Sequence, residues 1–188
     1  ILLRRTSSFA WATCGAASYV NAASTEGAAS LLITPEDLFI ITNNIEAPRL
    51  EQEEGLTRQG WEMVISPWEN PLAELQRRTS GLRLVSDVCF ENAQVIADEI
   101  SHLRSELTPQ EQDRFRELGR QCSQAISSAG RSIEPGMSEL QITAIIAEKT
   151  QQKGIQPIVN LVATDDRIKQ FRHPLPTNKI LDKYAMLV

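Results

Sequence analysis

Apolar and polar positions alternate in short blocks over the first half of the chain and in longer, helical blocks over the second. Between Ala29 and Asn44, the runs Leu31-Leu32-Ile33 and Leu38-Phe39-Ile40-Ile41-Thr42 flank the polar turn Thr34-Pro35-Glu36-Asp37, which predicts a β-hairpin. Upstream, Phe9-Ala10-Trp11-Ala12 and the small-residue stretch from Gly15 to Ala23 predict an earlier strand and a close-packed connection, with a short helix as the alternative. Pro48, followed by Leu50, Glu51, Glu53 and Glu54, predicts a helix with Pro in its first turn and acids near the positive end of its dipole. Trp61-Glu62-Met63-Val64-Ile65 then predicts a strand, Asn70-Pro71 a helix through Arg78 with Asn as its cap, and Leu82 to Val85 another short strand. This rhythm describes an α/β domain over about residues 1–88 with a partly parallel or mixed sheet.

After Cys89 the period changes to that of helices. Ala93, Ile96, Ala97, Ile100 and Leu103 recur at spacings of three and four and predict one apolar stripe. Thr108-Pro109-Gln110-Glu111 fits a capping box, so a second helix is expected from there to about Ala129. Pro135-Gly136 breaks the chain, and Ser138 caps a third helix, carrying Leu140, Ile142, Ile145 and Ile146, that stops at Gly154. A strand over Ile158-Val159-Asn160-Leu161-Val162 follows, and later the turn Phe171-Arg172-His173-Pro174. The chain closes on Tyr184-Ala185-Met186-Leu187-Val188, which reads as a buried central strand of a domain that continues further. A domain over residues 1–107, including a connecting helix, and a partial one over residues 108–188 are therefore expected.

Composition narrows the classes. With 41% hydrophobic and 23% charged residues the chain is an ordinary globular sequence rather than a disordered one. A net charge of -5 gives no footprint for nucleic acid or an anionic membrane, and no apolar run approaches the length of a membrane span. Ile1-Leu2-Leu3 precedes the arginines instead of following them as in a signal peptide, so a cytoplasmic protein is expected. Cys14, Cys89 and Cys122 are widely and unevenly spaced, which predicts buried reduced thiols rather than disulfides or a zinc site. A Gly-rich phosphate loop, a nucleophile elbow and a His-Glu-x-x-His pattern are absent from the sequence.

Chemistry therefore has to come from arrangement. The capped helix from Thr108, the break Ile133-Glu134-Pro135-Gly136-Met137-Ser138-Glu139, the helix ending at Gly154, the strand to Thr164 and the turn at His173 together resemble the opening of the catalytic domain of the creatinase, aminopeptidase P and prolidase family. Phe9-Ala10-Trp11, Leu32-Ile33-Thr34-Pro35 and Ile41-Thr42-Asn43-Asn44-Ile45-Glu46-Ala47-Pro48-Arg49-Leu50 resemble the smaller N-terminal domain that precedes it. The resemblance implies a creatinase N-terminal-like α/β domain with a mixed sheet, followed by a truncated pita-bread α+β domain. It also implies that His173, by its order along the chain, faces substrate, where an imidazole can hydrogen-bond a peptide or a developing oxyanion. The plain alternative is a histidine held in a Pro-flanked turn by backbone carbonyls. Arg172 and Pro174 depart from the neighbours usual in the family's peptidases, which leaves a different ligand open.

Two further expectations concern ligands. The family's two divalent metal ions, manganese, cobalt or zinc, are held by carboxylates and a histidine that lie after such a turn, so no metal is assigned to this chain; Asp165 and Asp166 read as a solvated turn, and Asp182 as the turn before the last strand. Arg49, among Glu46, Glu51, Glu53 and Glu54, either binds a substrate carboxylate bidentately or pairs with the local acids. His173, Arg172 and Arg49 are thus the substrate-binding candidates. Trp11, Trp61 and Trp68 read as core or interface anchors, and His102 as a surface residue at the end of a helix. The implied function is that of an Xaa-Pro metallopeptidase, acting on a peptide or small molecule as a homodimer and catalytically silent in these residues alone. The alternative is a non-catalytic relative that binds a peptide or small molecule or serves to dimerise.

Overall fold

In the computed structural model, which describes residues 1–188, the short strand β1 (Leu2–Arg5) runs into the helix α1 (Thr6–Ala12). The expected hairpin follows as β2 (Glu26–Ile33) and β3 (Leu38–Asn43), and then the helix α2 (Ala47–Gln52), a single 3-10 turn (Leu56–Gln59), β4 (Glu62–Ser66) and α3 (Ala73–Thr79). Two-residue strands β5 (Val85–Ser86) and β6 (Gln94–Val95) and the helix α4 (Ala97–Leu103) complete a first compact unit, Ile1–Glu106. Its six strands form one mixed sheet in the order β4-β3-β2-β1-β5-β6. β2 and β3 are antiparallel, whereas β3 and β4, and β1 and β5, are parallel.

Side chains alternate across a strand, so adjacent leucines serve opposite faces. Leu3, Leu31 and Ile40 pack with Phe9, Leu50, Leu56 and Ile100 on one side, under α1, α2, the 3-10 turn and α4. Leu2, Leu32, Phe39, Ile41 and Val64 pack with Leu75 of α3 on the other. Both faces are covered, which is why the central strands read as continuous apolar runs rather than as alternating ones.

Several sequence expectations change here. Phe9-Ala10-Trp11-Ala12 is helix, the alternative reading: β1 already holds the central place in the sheet, and a helix carries Phe9 into the core with no exposure. The acids of α2 do not lie in its first turn, because the helix is only six residues long and Glu51 falls at its end. Asn70 does not cap α3, which starts three residues later and whose Glu74 amide donates to Ser66 Oγ at 3.1 Å. The strand expected over Leu82 to Val85 begins only at Val85, and Leu82 is half exposed. The stripe from Ala93 to Leu103 is divided, since the Gln94 and Ile96 amides donate to the Leu84 and Ser86 carbonyls and give those residues to the sheet. The thiols expected to be buried are not: Cys14 and Cys89 are exposed, because they lie in loops outside the sheet, and Cys122 is half-buried, with none of the three in a disulfide. Trp61 is core, whereas Trp68 is exposed.

The second unit, Leu107–Val188, contains the long helix α5 (Pro109–Arg131), α6 (Glu139–Gln151), the strand β7 (Val162–Thr164), one turn of helix α7 (Arg167–Gln170) and the strand β8 (Ala185–Leu187). Both long helices open with complete capping boxes, Thr108 with Glu111 and Ser138 with Gln141. The core is a single cluster of Ala129, Ile142, Ile146, Val162 and Leu181. β7 starts later than its apolar run suggested, for Ile158 and Val159 are exposed. β8 is half-buried rather than a buried central strand: it pairs antiparallel with β7 in a two-stranded sheet. No helix is long and apolar enough to cross a membrane.

Candidate functional site

The start of α6 organises the second unit. The first four amides of any helix lack partners inside it. Here those of Glu139 and Leu140 donate to the Lys179 and Thr177 carbonyls, and that of Gln141 to Ser138 Oγ. The segment around residues 177–181 is thereby laid against the helix start, with a bridge between Ser138 and Ile180 and the Leu181 amide on the Met137 carbonyl.

Into this junction projects the Glu139 side chain, which is wholly buried. Its Oε1 accepts from the Thr164 amide at 2.8 Å and from Thr164 Oγ1 at 3.0 Å. Its Oε2 accepts from the Thr177 amide at 2.9 Å, from Thr177 Oγ1 at 2.7 Å, and from Arg167 Nη1. Burial pushes the carboxyl up, but the hydrogen bonds from Thr177, Thr164 and Arg167 outweigh it and hold it below its ordinary value. Arg167 in turn donates to the Leu175 carbonyl at 3.1 Å and to Thr177 Oγ1 at 3.2 Å, and its guanidinium lies 5.3 Å from the centre of the Phe171 ring.

A second carboxylate works nearby. Asp165, at a φ of +50°, accepts from the amides of Asp182, Lys183 and Tyr184, each at 2.9 Å, and these bonds lower its pKa. It is therefore not merely a solvated turn residue but the latch between the end of β7 and the approach to β8. Asp166 accepts from Gln170 and pairs with Lys179, while Asp182 is exposed.

Arg172 and His173 sit in the loop that these contacts enclose, both exposed and without a side-chain partner, next to the buried Pro174. The carbonyl-held alternative for His173 is not what is found. The third candidate, Arg49, lies in the other unit, and its guanidinium is spoken for: it donates to the Ala17 carbonyl at 3.0 Å and pairs with Glu46 and Glu54. That is the local-acid reading. Concave surface lies elsewhere: a hollow of about 260 Å³ in the first unit, lined by residues such as Thr79, Ser80, Glu91 and Asn92, gathers hydroxyls and an amide but no acid–base pair, and a more open one of about 430 Å³ in the second lies between α5 and the end of α6, at Asp113, Glu117, Gln121 and Lys153.

The two metal ions implied by the resemblance do not fit the residues present. No three His, Cys, Asp or Glu side chains converge as a cation would need, and Glu139 and Asp165 already accept hydrogen bonds on both oxygens. The residues missed at the sequence level were Glu139, Thr164, Arg167 and Thr177. A first-turn acid looks like a dipole partner in any helix, and only the two threonines on either side of His173 hinted at a shared acceptor.

No protein-family model and no curated protein matches the sequence. Solved structures do match. The chain is similar to the Xaa-Pro dipeptidase from Bacillus anthracis, with a TM-score of 0.71 and 16% identity over 99% of this chain and 54% of that one. It is similar to the prolidase from Pyrococcus horikoshii OT3, with a TM-score of 0.71, 14% identity and the same coverage. The X-Pro aminopeptidase from Thermotoga maritima MSB8 matches with a TM-score of 0.67 and 14% identity. This chain spans about half the length of those proteins, their N-terminal part. Its mixed six-stranded sheet and small hairpin therefore have the fold of that part of prolidase and Xaa-Pro aminopeptidase structures, of which the chain is a structural match.

Proposed function

We propose that this chain belongs to a peptide-handling protein of the Xaa-Pro peptidase type, in which the second unit is the opening of a pita-bread domain and the turn at Arg172 and His173 meets the peptide. One observation carries the reading: a guanidinium and an imidazole, adjacent, exposed and unpartnered, on a loop closed by hydrogen bonds to the buried Glu139 carboxylate. The likeness of fold supports it. A guanidinium recognises a carboxylate bidentately, and an imidazole can donate to a peptide carbonyl or to the oxyanion formed from it. Hydrolysis by a metal-activated water needs a ligand set that these residues do not supply, so no cleavage step is assigned to them.

The test is a titration of the chain with the dipeptide Ala-Pro, followed through the His173 ring signals. Saturable shifts that vanish in Arg172→Ala are expected; unmoved signals at millimolar peptide would sink the reading. A second reading, binding without turnover, is favoured by the cationic Arg172 beside the histidine, which suits an anionic ligand. The longest natural polypeptide carrying this sequence decides between the two: cleavage of Ala-Pro with bound manganese, cobalt or zinc supports a peptidase, and tight peptide binding without metal or turnover supports the second reading. A homodimer is proposed for either.

A further inference from the structure

Glu139 is buried beyond what its helix requires. An acid in a first turn interacts well with the helix dipole while remaining in water, and the capping box of Ser138 and Gln141 already serves the start of α6. Burying a carboxylate is costly unless it is fully hydrogen-bonded. Five donors meet that need, and all come from three residues that bracket one loop. Thr164 precedes the loop, Thr177 ends it, and Arg167 lies inside it and reaches from Glu139 to the Leu175 carbonyl and the Phe171 ring.

At the loop's base the Glu139 carboxylate gathers five donors, beside the Asp166–Lys179 pair and the Leu140 amide on the Thr177 carbonyl. The tip, Arg172 and His173, has no anchoring side-chain contact of its own. The Asp165 latch ties the far end of β7 to residues 182–184, and within the segment from Arg167 to Pro176 the Asp166 carboxylate reaches only Gln170.

We infer that Glu139 is the positioning residue of the Arg172–His173 turn, holding it in one conformation by gripping Thr164, Arg167 and Thr177 together. The importance of the turn rests on the proposed function, but its positioning is read without any peptide, so failure of one is distinguishable from failure of the other.

The experiment compares the chain with Glu139→Gln and Thr177→Val. Two quantities are followed in each: the rate of trypsin cleavage after Lys169 and Arg172, and the NMR signals of the His173 ring beside the methyls of Ile142, Ile146 and Val162. Glu139→Gln is expected to speed cleavage at least about tenfold, the scale of losing charge-assisted hydrogen bonds. The His173 ring signals should move toward those of an unstructured peptide while the core methyls stay in place. Thr177→Val, which keeps the carboxylate, should give a smaller change in the same direction, and it decides the matter if Glu139→Gln does not fold. Unchanged cleavage and ring signals overturn the inference. So does a parallel change in loop and core methyls, because Glu139 would then stabilise the unit as a whole without placing the turn.

Discussion

Alongside Glu111 and Glu117 of α5, whose carboxyls are also held low, Glu139 and Asp165 carry the acid sensitivity of the second unit. Both carboxyls are held below their ordinary values, Glu139 against the opposing effect of burial by bonds from Thr177, Thr164 and Arg167, and Asp165 by the amides of Asp182, Tyr184 and Lys183. A group whose folded pKa is depressed contributes stability that is complete above its unfolded pKa and lost as pH falls through the folded one. The second unit is therefore expected to lose stability below about pH 4, the ordinary carboxylate range. Circular dichroism across that range checks this, and Asp165→Asn should flatten the loss. Glu139→Ala leaves Arg167 charged and the Thr164 and Thr177 amides without their acceptor, and should destabilise by about 3–5 kcal/mol in urea unfolding, the scale of breaking a buried pair. None of this is visible at the residue in isolation: Glu139 follows a cap, as acids commonly do. By contrast, the pairing of Arg49 with nearby acids was legible, since Glu46 and Glu54 stand within one helical turn or a short loop of it.

Among the elements, those that local chemistry specifies were the readable ones. Thr108 accepts from the Glu111 amide while Glu111 reaches back to the Thr108 amide at 2.7 Å, as the sequence pattern implied. Thr108→Ala should cost about 1 kcal/mol, measurable as a lower denaturation midpoint. The hairpin of β2 and β3 was equally local, with Ile33 opposite Leu38 across the Pro35 turn. A closer constraint lies earlier in β2, where a Cβ on Gly27 would come 2.2 Å from Ser18 Oγ and 3.0 Å from the Ser18 carbonyl oxygen. That carbonyl also accepts from the Ala28 amide at 2.7 Å, so it is not free to withdraw. Gly27→Ala is expected to destabilise by about 1–3 kcal/mol, the usual range for overpacking, and thermal unfolding with and without a compensating Ser18→Gly tests it. β1 and β6 escaped the sequence, and β5 was expected too early, because two to four residues carry too little periodicity; their strand character comes from neighbours such as Leu32 and Ser86 opposite Leu2.

Over the molecule, the two units are built differently. The first covers both faces of its sheet, whereas the second relies on one cluster around Ile142 and Val162 and leaves Ile158, Leu175 and Tyr184 largely exposed. Amide exchange should accordingly be slower in β2 and β3 than anywhere in β7 and β8, and the reverse order would contradict this account. Sedimentation of the whole chain tests the proposed homodimer, for which a species of twice the chain mass is expected. By itself the sequence determined the capped starts of α5 and α6, the hairpin and the mixed α/β character, because caps, turns and two-residue alternation act between residues close along the chain. Only the tertiary structure decided that Leu2–Arg5 is a central strand, and that Thr164, Arg167 and Thr177 share the Glu139 carboxylate around His173. Those contacts join residues up to 38 apart, and a buried charge finds its donors only when the folded chain excludes water and leaves it no others.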